Sequence, residues 1–172
     1  AYVTVYGNVE GSSHGIDVNN NAEIKVYGNV TSTSAHPDHY GVQSTSTNIS
    51  NLIEIHGDVA GINGIKVMGG SSNIKVSGNI TATGTYNTNN GVYVSQGTAE
   101  IAGNITATSC LGVWSDVDAQ ITVDGVITAT KYVKVGSTVK GIDDKTLPTT
   151  KAGYHTYYKE TAAATVWVKD IG

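Results

Sequence analysis

The chain of 172 residues has no arginine, no phenylalanine, one cysteine, one methionine and two prolines. Each scarcity removes something. Without arginine, the fork-shaped donor most used to grip phosphate and carboxylate is missing, and all ten basic residues are lysines. A lone Cys110 permits no intrachain disulfide and no cysteine-based metal cluster, and among apolar neighbours it reads as a small buried filler. Charged residues make up only 14% of the chain and the formal net charge is −4, so no strong field steers it to nucleic acid or anionic lipid. No apolar run approaches the ~20 residues of a membrane-spanning helix and no signal peptide is visible, so membrane insertion is not expected. The chain enters a strand by Val3 and reads as a processed form or a piece of something longer.

What is plentiful is glycine, with 21 residues, and tyrosine, with ten. Together with abundant Thr, Ser, Asn and Val, this suits many short strands joined by tight turns. The length is that of one domain with a real core.

One stretch organises the rest. Ile74-Lys75-Val76-Ser77-Gly78-Asn79-Ile80-Thr81-Ala82-Thr83 has the pattern apolar-x-apolar-x-Gly-Asn-apolar-Thr-x-Thr. It recurs from Ile24 to Thr33 and from Glu100 to Thr108, and in weaker form from Ile121 to Thr130, Val3 to Val9 and Ile53 to Val59. The six central glycines stand at 7, 28, 57, 78, 103 and 125. Spacings of this size mark a solenoid. Each copy is followed by a second motif, Gly-apolar-x-apolar, as in Gly15-Ile16-Asp17-Val18, Gly64-Ile65-Lys66-Val67 and Gly91-Val92-Tyr93-Val94. Every repeat therefore holds three short segments alternating at period two, which means half-buried strands and almost no helix.

Strands this short bury their inward residues only by stacking on the next repeat. The expected fold is an all-β, right-handed parallel β-helix of about six three-strand rungs over residues 1–135. Residues 136–172 are expected to form a linker and a C-terminal capping hairpin, Tyr154 to Tyr158 with Thr165 to Lys169, in the same structural domain. No equivalent cap precedes Val3, so the first rung reads as open. Ile24, Ile53, Ile74, Ile101 and Ile121 form one expected core file. Val26, Ile55, Val76, Ala102 and Val123 form the next, with a local slip at Ala102. Gly-Asn turns the corner, the pair being tolerant of left-handed backbone, and Asn8, Asn29, Asp58, Asn79 and Asn104 are expected to bond along the column. Insertions such as Ser34 to Tyr40 and Gly84 to Asn90 put loops on one side, and Thr45 to Leu52 forms a second variable corner.

Several features carry candidate chemistry. Thr31, Thr33, Thr81, Thr83, Thr106, Thr108, Thr128 and Thr130 share the outward parity and stack into a two-column array, broken in the third copy by Val59-Ala60-Gly61-Ile62. That array resembles the threonine faces of β-solenoid antifreeze proteins, although threonine also suits any outward sheet face. Tyr40, Tyr86, Tyr93 and Trp114, on or beside the insertions, offer aromatic contacts for a surface glycan or protein. His36-Pro37-Asp38-His39 has the donor types of a zinc site but lacks further ligands, so a solvated loop is the expectation and no cofactor is expected. Glu23, Glu54 and Glu100 approach a shared face, yet no second, differently tuned carboxyl joins them as glycosidic catalysis requires, so no enzymatic activity is expected.

From Val3 to Val135 the chain resembles the Gly-Asn-Ile-Thr-Ala-Thr-Gly repeat regions of large bacterial surface proteins with right-handed, pectin-lyase-like β-helices. Its ending, Gly153-Tyr154-His155-Thr156-Tyr157-Tyr158 with Thr165-Val166-Trp167-Val168-Lys169, is similar to the segment that closes such regions. The resemblance implies an extracellular or cell-surface protein acting as a non-enzymatic adhesin or stalk module. Stacking of copies through the open first rung into a fibre or surface layer, and ice or glycan binding, are the competing expectations.

Overall fold

The computed structural model describes residues 1–45 and 50–172. It is an all-β solenoid of about six turns, closed at one end by a hairpin. Part of the variable corner Thr45 to Leu52, namely 46–49, lies outside the described residues.

Three faces run the length of the column. The first face stacks Tyr2–Val5, Ala22–Val26, Asn51–Ile55 and then segments 72–76, 97–101 and 119–123, all parallel. The second face stacks Val9–Gly11, Val30–Ser32, Val59–Gly61, Ile80–Ala82 and then 105–107 and 127–129. The third face stacks Ile16–Val18, Tyr40–Ser44 and then 63–68, 90–95, 111–115 and 131–135. In the later rungs the strand runs on around a corner, so that Asn63–Val76 and Asn90–Ile101 each serve two faces.

Alternation decides what is buried. On the first face one inward file is Val3, Ile24, Ile53, Ile74, Ala99, Ile121 and Val166. Its neighbour is Val5, Val26, Ile55, Val76, Ile101, Val123 and Val168. This corrects the expected files: Ala99, not Ile101, stands opposite Ile74, Ile101 takes the place assigned to Ala102, and Ala102 points outward. The corner sets the register. Counting back two residues from each corner glycine lands on Val26, Ile55, Val76, Ile101 and Val123, so the fifth rung has no slip at this corner. Cys110 is the expected buried filler, packed with Ala82 and Ala107, and burial raises its thiol pKa.

The corner glycines are required for a different reason from the expected one. None of the six has a positive φ. A Cβ on Gly28 would stand 2.5 Å from the carbonyl oxygen of Gly7 and from Asn8 Oδ1, and those on Gly57, Gly78, Gly103 and Gly125 would meet the rung before them in the same way. Rungs separated by ~4.8 Å leave no room for a side chain that points along the column. The Asn file works in that same gap. Asn29 N–H donates to Asn8 Oδ1 (2.8 Å), Asp58 N–H to Asn29 Oδ1 (2.9 Å) and Asn79 N–H to Asp58 Oδ1 (2.7 Å). Asn104 N–H donates to Asn79 Oδ1 and Val126 N–H to Asn104 Oδ1, both at 2.8 Å. The partner of each side chain is thus the backbone of the next rung rather than the next amide.

At the far end the expected hairpin is present. Tyr154–Lys159 pairs antiparallel with Ala164–Lys169, joined through a short 3-10 turn, Glu160–Ala162. Ala164–Lys169 also adds a parallel strand beside 120–123, extending the first face by one rung. Tyr157 is fully buried over the last rung, edge-on to Tyr132, and its hydroxyl donates to the Ile142 carbonyl at 2.8 Å. An apolar plug with a satisfied polar tip is what a solenoid end requires.

Gly78→Ala is expected to lower the unfolding free energy by about 2 kcal/mol or more, the range for forced overpacking. Gly7→Ala, where nothing lies within 4 Å of the added carbon, should change it by under about 0.5 kcal/mol. Urea titration of the two variants checks both, and equal effects would refute crowding as the reason for the glycine file.

Candidate binding surfaces

Outward residues obey the same register as inward ones, so every exterior pattern becomes a ladder. The central outward file of the first face reads Thr4, Lys25, Glu54, Lys75, Glu100, Thr122. Lys25 Nζ lies 2.9 Å from Glu54 Oε2 and Lys75 Nζ 3.7 Å from Glu100 Oε2. The hydrogen bond between the first pair raises the Lys25 pKa and lowers that of Glu54. Glu54 and Glu100 are thereby paired with lysines, while Glu23 belongs to a different outward file. Beside the central file stand Tyr6, Tyr27 and His56, their rings stacked with centroids 5.2 and 4.7 Å apart. Tyr6 is 84% exposed.

Near the cap, a cleft of about 400 Å³ opens over this face between Glu100, Thr122 and Asp124 on the sheet and Lys151 and Tyr154 from the closing segment. Lys151 Nζ donates to Thr122 Oγ1 at 3.2 Å and lies 4.5 Å from the Tyr154 ring centroid. Tyr154 donates its hydroxyl to Asp124 Oδ1, and that bond raises the phenol's pKa.

On the second face Thr81, Thr106 and Thr128 form an unbroken outward file. Ala60 separates them from Thr31. In the neighbouring column Thr33, Thr83, Thr108 and Thr130 are exposed. The hydroxyls of Thr33, Thr83 and Thr130 turn back to carbonyl oxygens of the preceding rung, those of Gly11 and Gly61 at 3.3 Å and of Thr108 at 2.5 Å.

The four aromatic residues do not form one surface. Tyr86 is exposed on the 84–89 loop. Tyr93 and Trp114 meet edge to face on the third face, 4.8 Å between centroids, and Lys134 Nζ lies 3.5 Å from the Trp114 ring centre. Burial and a 3.0 Å bond to Asp116 push the Tyr93 phenol up to about 12. Tyr40, expected to be a loop contact, is instead 93% buried at the start of its strand, where Lys66 lies 5.4 Å from its ring centre and His14 stacks beside it.

Two loops leave the corner between the second and third faces, on one side as expected. Their anchor is a buried asparagine pair that the motif reading passed over. Asn63 Nδ2 donates to the carbonyls of Pro37 (2.7 Å) and His39 (2.8 Å), and Asn89 Nδ2 donates to Pro37 O and to Asn63 Oδ1. The signal was available just upstream of the second motif, one residue before its glycine in Asn63-Gly64 and two before it in Asn89-Asn90-Gly91. Within the first loop, His39 lies between His14 and His36, its ring centroid 4.8 and 4.7 Å from theirs. His14 Nδ1 accepts from Tyr40 N–H at 3.0 Å, and Ser34 Oγ lies 2.6 Å from His39 Nδ1. Among the described residues no group of three or more His, Cys, Asp or Glu side chains is arranged to hold a metal ion.

Compared with known proteins, the chain matches no family model, no curated protein and no solved structure.

Burial lowers the His14 pKa, opposed by Asp17 and reinforced by His39. A histidine with a depressed folded pKa contributes stability above its unfolded value near 6.5 and loses it as pH falls through the folded pKa. The melting temperature should therefore drop between pH 7 and pH 5. His14→Gln, whose amide oxygen accepts from Tyr40 N–H, should shrink that drop. An identical pH profile in the variant would show that the histidine group is not responsible. Separately, Asn104→Ala removes the acceptor of Val126 N–H and should cost about 1 kcal/mol by urea titration. No loss would show that water replaces this rung of the ladder.

Proposed function

We propose that this chain is a non-enzymatic adhesin or stalk module of an extracellular or bacterial cell-surface protein. The observation that carries this reading is the axial direction of its polar chemistry. Asn8, Asn29, Asp58, Asn79 and Asn104 each use a side-chain oxygen to tie one rung to the next. A chain that commits its repeated polar groups to holding up a column is suited to spacing and presentation. Glu54, Glu100 and Asp124 of the first face are paired with lysines or a tyrosine, which suits a scaffold better than acid–base catalysis. The likeness to surface-protein repeats, carried by Gly78-Asn79-Ile80-Thr81-Ala82-Thr83 and its copies, supports the location.

A second reading is favoured by the first rung. Among the described residues Tyr2–Val5, Val9–Gly11 and Ile16–Val18 each pair on one side only, and Val3, an inward residue, is 45% exposed. An unpaired parallel edge with apolar content accepts another strand, and repeated end-on contacts that do not close make a filament.

Negative-stain electron microscopy over a concentration series separates the two. The module reading predicts short particles, ~29 Å for six rungs at 4.8 Å each, at every concentration. Long unbranched filaments would replace it with the fibre reading. Incubation with a panel of polysaccharides is expected to release no new reducing ends. Sustained release abolished by Glu100→Gln would overturn the non-enzymatic assignment.

A further inference from the structure

The central file of the first face carries the order positive, negative, positive, negative on rungs two to five, in Lys25, Glu54, Lys75 and Glu100. This order is self-complementary under one symmetry operation. Let a second copy be turned over about an axis that runs along the strands and passes between the third and fourth rungs. Laid face to face, rung two then meets rung five and rung three meets rung four. Lys25 faces Glu100 of the second copy and Glu54 faces Lys75, each contact occurring twice, as a two-fold axis demands.

We propose that the first face is a self-recognition surface on which two copies of this chain pair face to face with their columns antiparallel. The flanking positions agree with the charges. Tyr6 comes opposite Asp124, and Tyr27, a large ring, opposite Ala102, a small side chain. The one charge in the remaining outward file over rungs one to six, Glu23, comes opposite Thr98. No like charges meet at any position. The relief also matches: the stacked, protruding rings of Tyr6 and Tyr27 come opposite the cleft of about 400 Å³ beside Lys151 and Tyr154.

Other arrangements of the same two faces are disfavoured. With the columns parallel and in register, every lysine and glutamate faces its own copy; parallel columns offset by one rung make three opposite-charge contacts against the four of the antiparallel pair, and without a two-fold axis to close them. Antiparallel columns displaced by one rung set Lys25 against Lys75 and Glu54 against itself. Displaced by two rungs, two of the four cross-pairs survive. Like-charge contacts of this kind are how an interface rejects wrong registers. The axial pairs need not break, since each carboxylate has a second oxygen and each ammonium further protons to donate.

Magnitude sets the expected strength. Six rungs by five residues give a projected face of roughly 450 Å² per copy, toward the small end for specific protein pairs, so the dimer is weak and reversible. Because exposed ion pairs add little net affinity but fix register and speed encounter, association should weaken as salt rises.

The test is sedimentation velocity with small-angle X-ray scattering, carried to high protein concentration at low salt. The expected species is a dimer whose longest dimension stays close to that of one column. Lys25→Glu with Lys75→Glu makes the file wholly acidic, and Glu54→Lys with Glu100→Lys makes it wholly basic. Each double variant alone should associate at least about tenfold more weakly, and the two mixed should pair again. Ala102→Trp leaves all four charges in place and should abolish the dimer without lowering the melting temperature, which keeps the test decisive should a charge reversal unfold the chain. A wild-type chain that stays monomeric overturns the proposal. So does a dimer of doubled length, or one indifferent to these substitutions. The proposal rests on the module reading only for its consequence, that copies displayed from facing surfaces join in opposite orientation. Filaments in electron micrographs would count against that reading, whereas absence of the lateral dimer counts against this one.

Discussion

The structure depends on how closely one rung approaches the next. Parallel strands of successive turns lie ~4.8 Å apart, bonded backbone to backbone, and nothing wider than a peptide group fits between them. At the Gly-Asn corner this becomes a hard limit. The glycine there is fixed by the carbonyl of the preceding glycine and not by the sign of its φ. The same proximity lets a side chain as short as asparagine reach the next rung's N–H, so the residue that caps one turn holds the following one. Because each rung is locked to its neighbour at the corner, the Ile and Val positions on either side are locked too, and the core becomes a stack of files with no freedom to slip.

Length variation is then confined to places where the lock can be suspended. The 34–39 and 84–89 loops leave between the second and third faces, past the last residues held by the corner. Such loops bring backbone carbonyls that the ladder cannot satisfy, and buried ones without partners are costly. For the 34–39 loop that need is met by Asn63, donating from the rung beneath it, and by Asn89 at the end of the 84–89 loop. The crowding of His14, His36 and His39 follows, since a loop drawn down onto the column sets its rings against those of its neighbours.

The fold was largely legible because the repeat is written twice per turn, once at Gly-Asn and once at Gly-apolar-x-apolar. The cap was legible from Tyr157 and Trp167 in strands that follow the end of the repeat. Misreadings arose where one residue was judged by type instead of by its distance from the corner. Ile101 matched Ile74 in kind, but its separation from Gly103 places it with Val76, and Ala99 fills the file that an isoleucine was expected to fill. Tyr40 has the type of an exposed binding residue, yet its position just before Gly41 puts it where the strand begins under Lys66 and beside His14. The contact between the two loops, Asn89 to Pro37, spans 52 residues and carries no periodic signal.

Repetition also separates what a scaffold explains from what it does not. Threonine on the second face recurs in the same form, as strand preference favours, and the Thr33 and Thr83 hydroxyls bond to the preceding rung. The first face differs, because its central position does not repeat; it alternates in sign. Stability of the column alone would be served about as well by threonine at all six rungs, as at Thr4 and Thr122, since each exposed ion pair contributes at most about 1 kcal/mol. Alternation lets Lys25 pair with Glu54 and Lys75 with Glu100 along the column, where a file of one sign would repel. It also gives the face a phase that a uniform file lacks, so that a shift of an antiparallel partner by one rung sets like charges together. A second copy has the same period by construction, and that is the basis of the pairing proposed for this face.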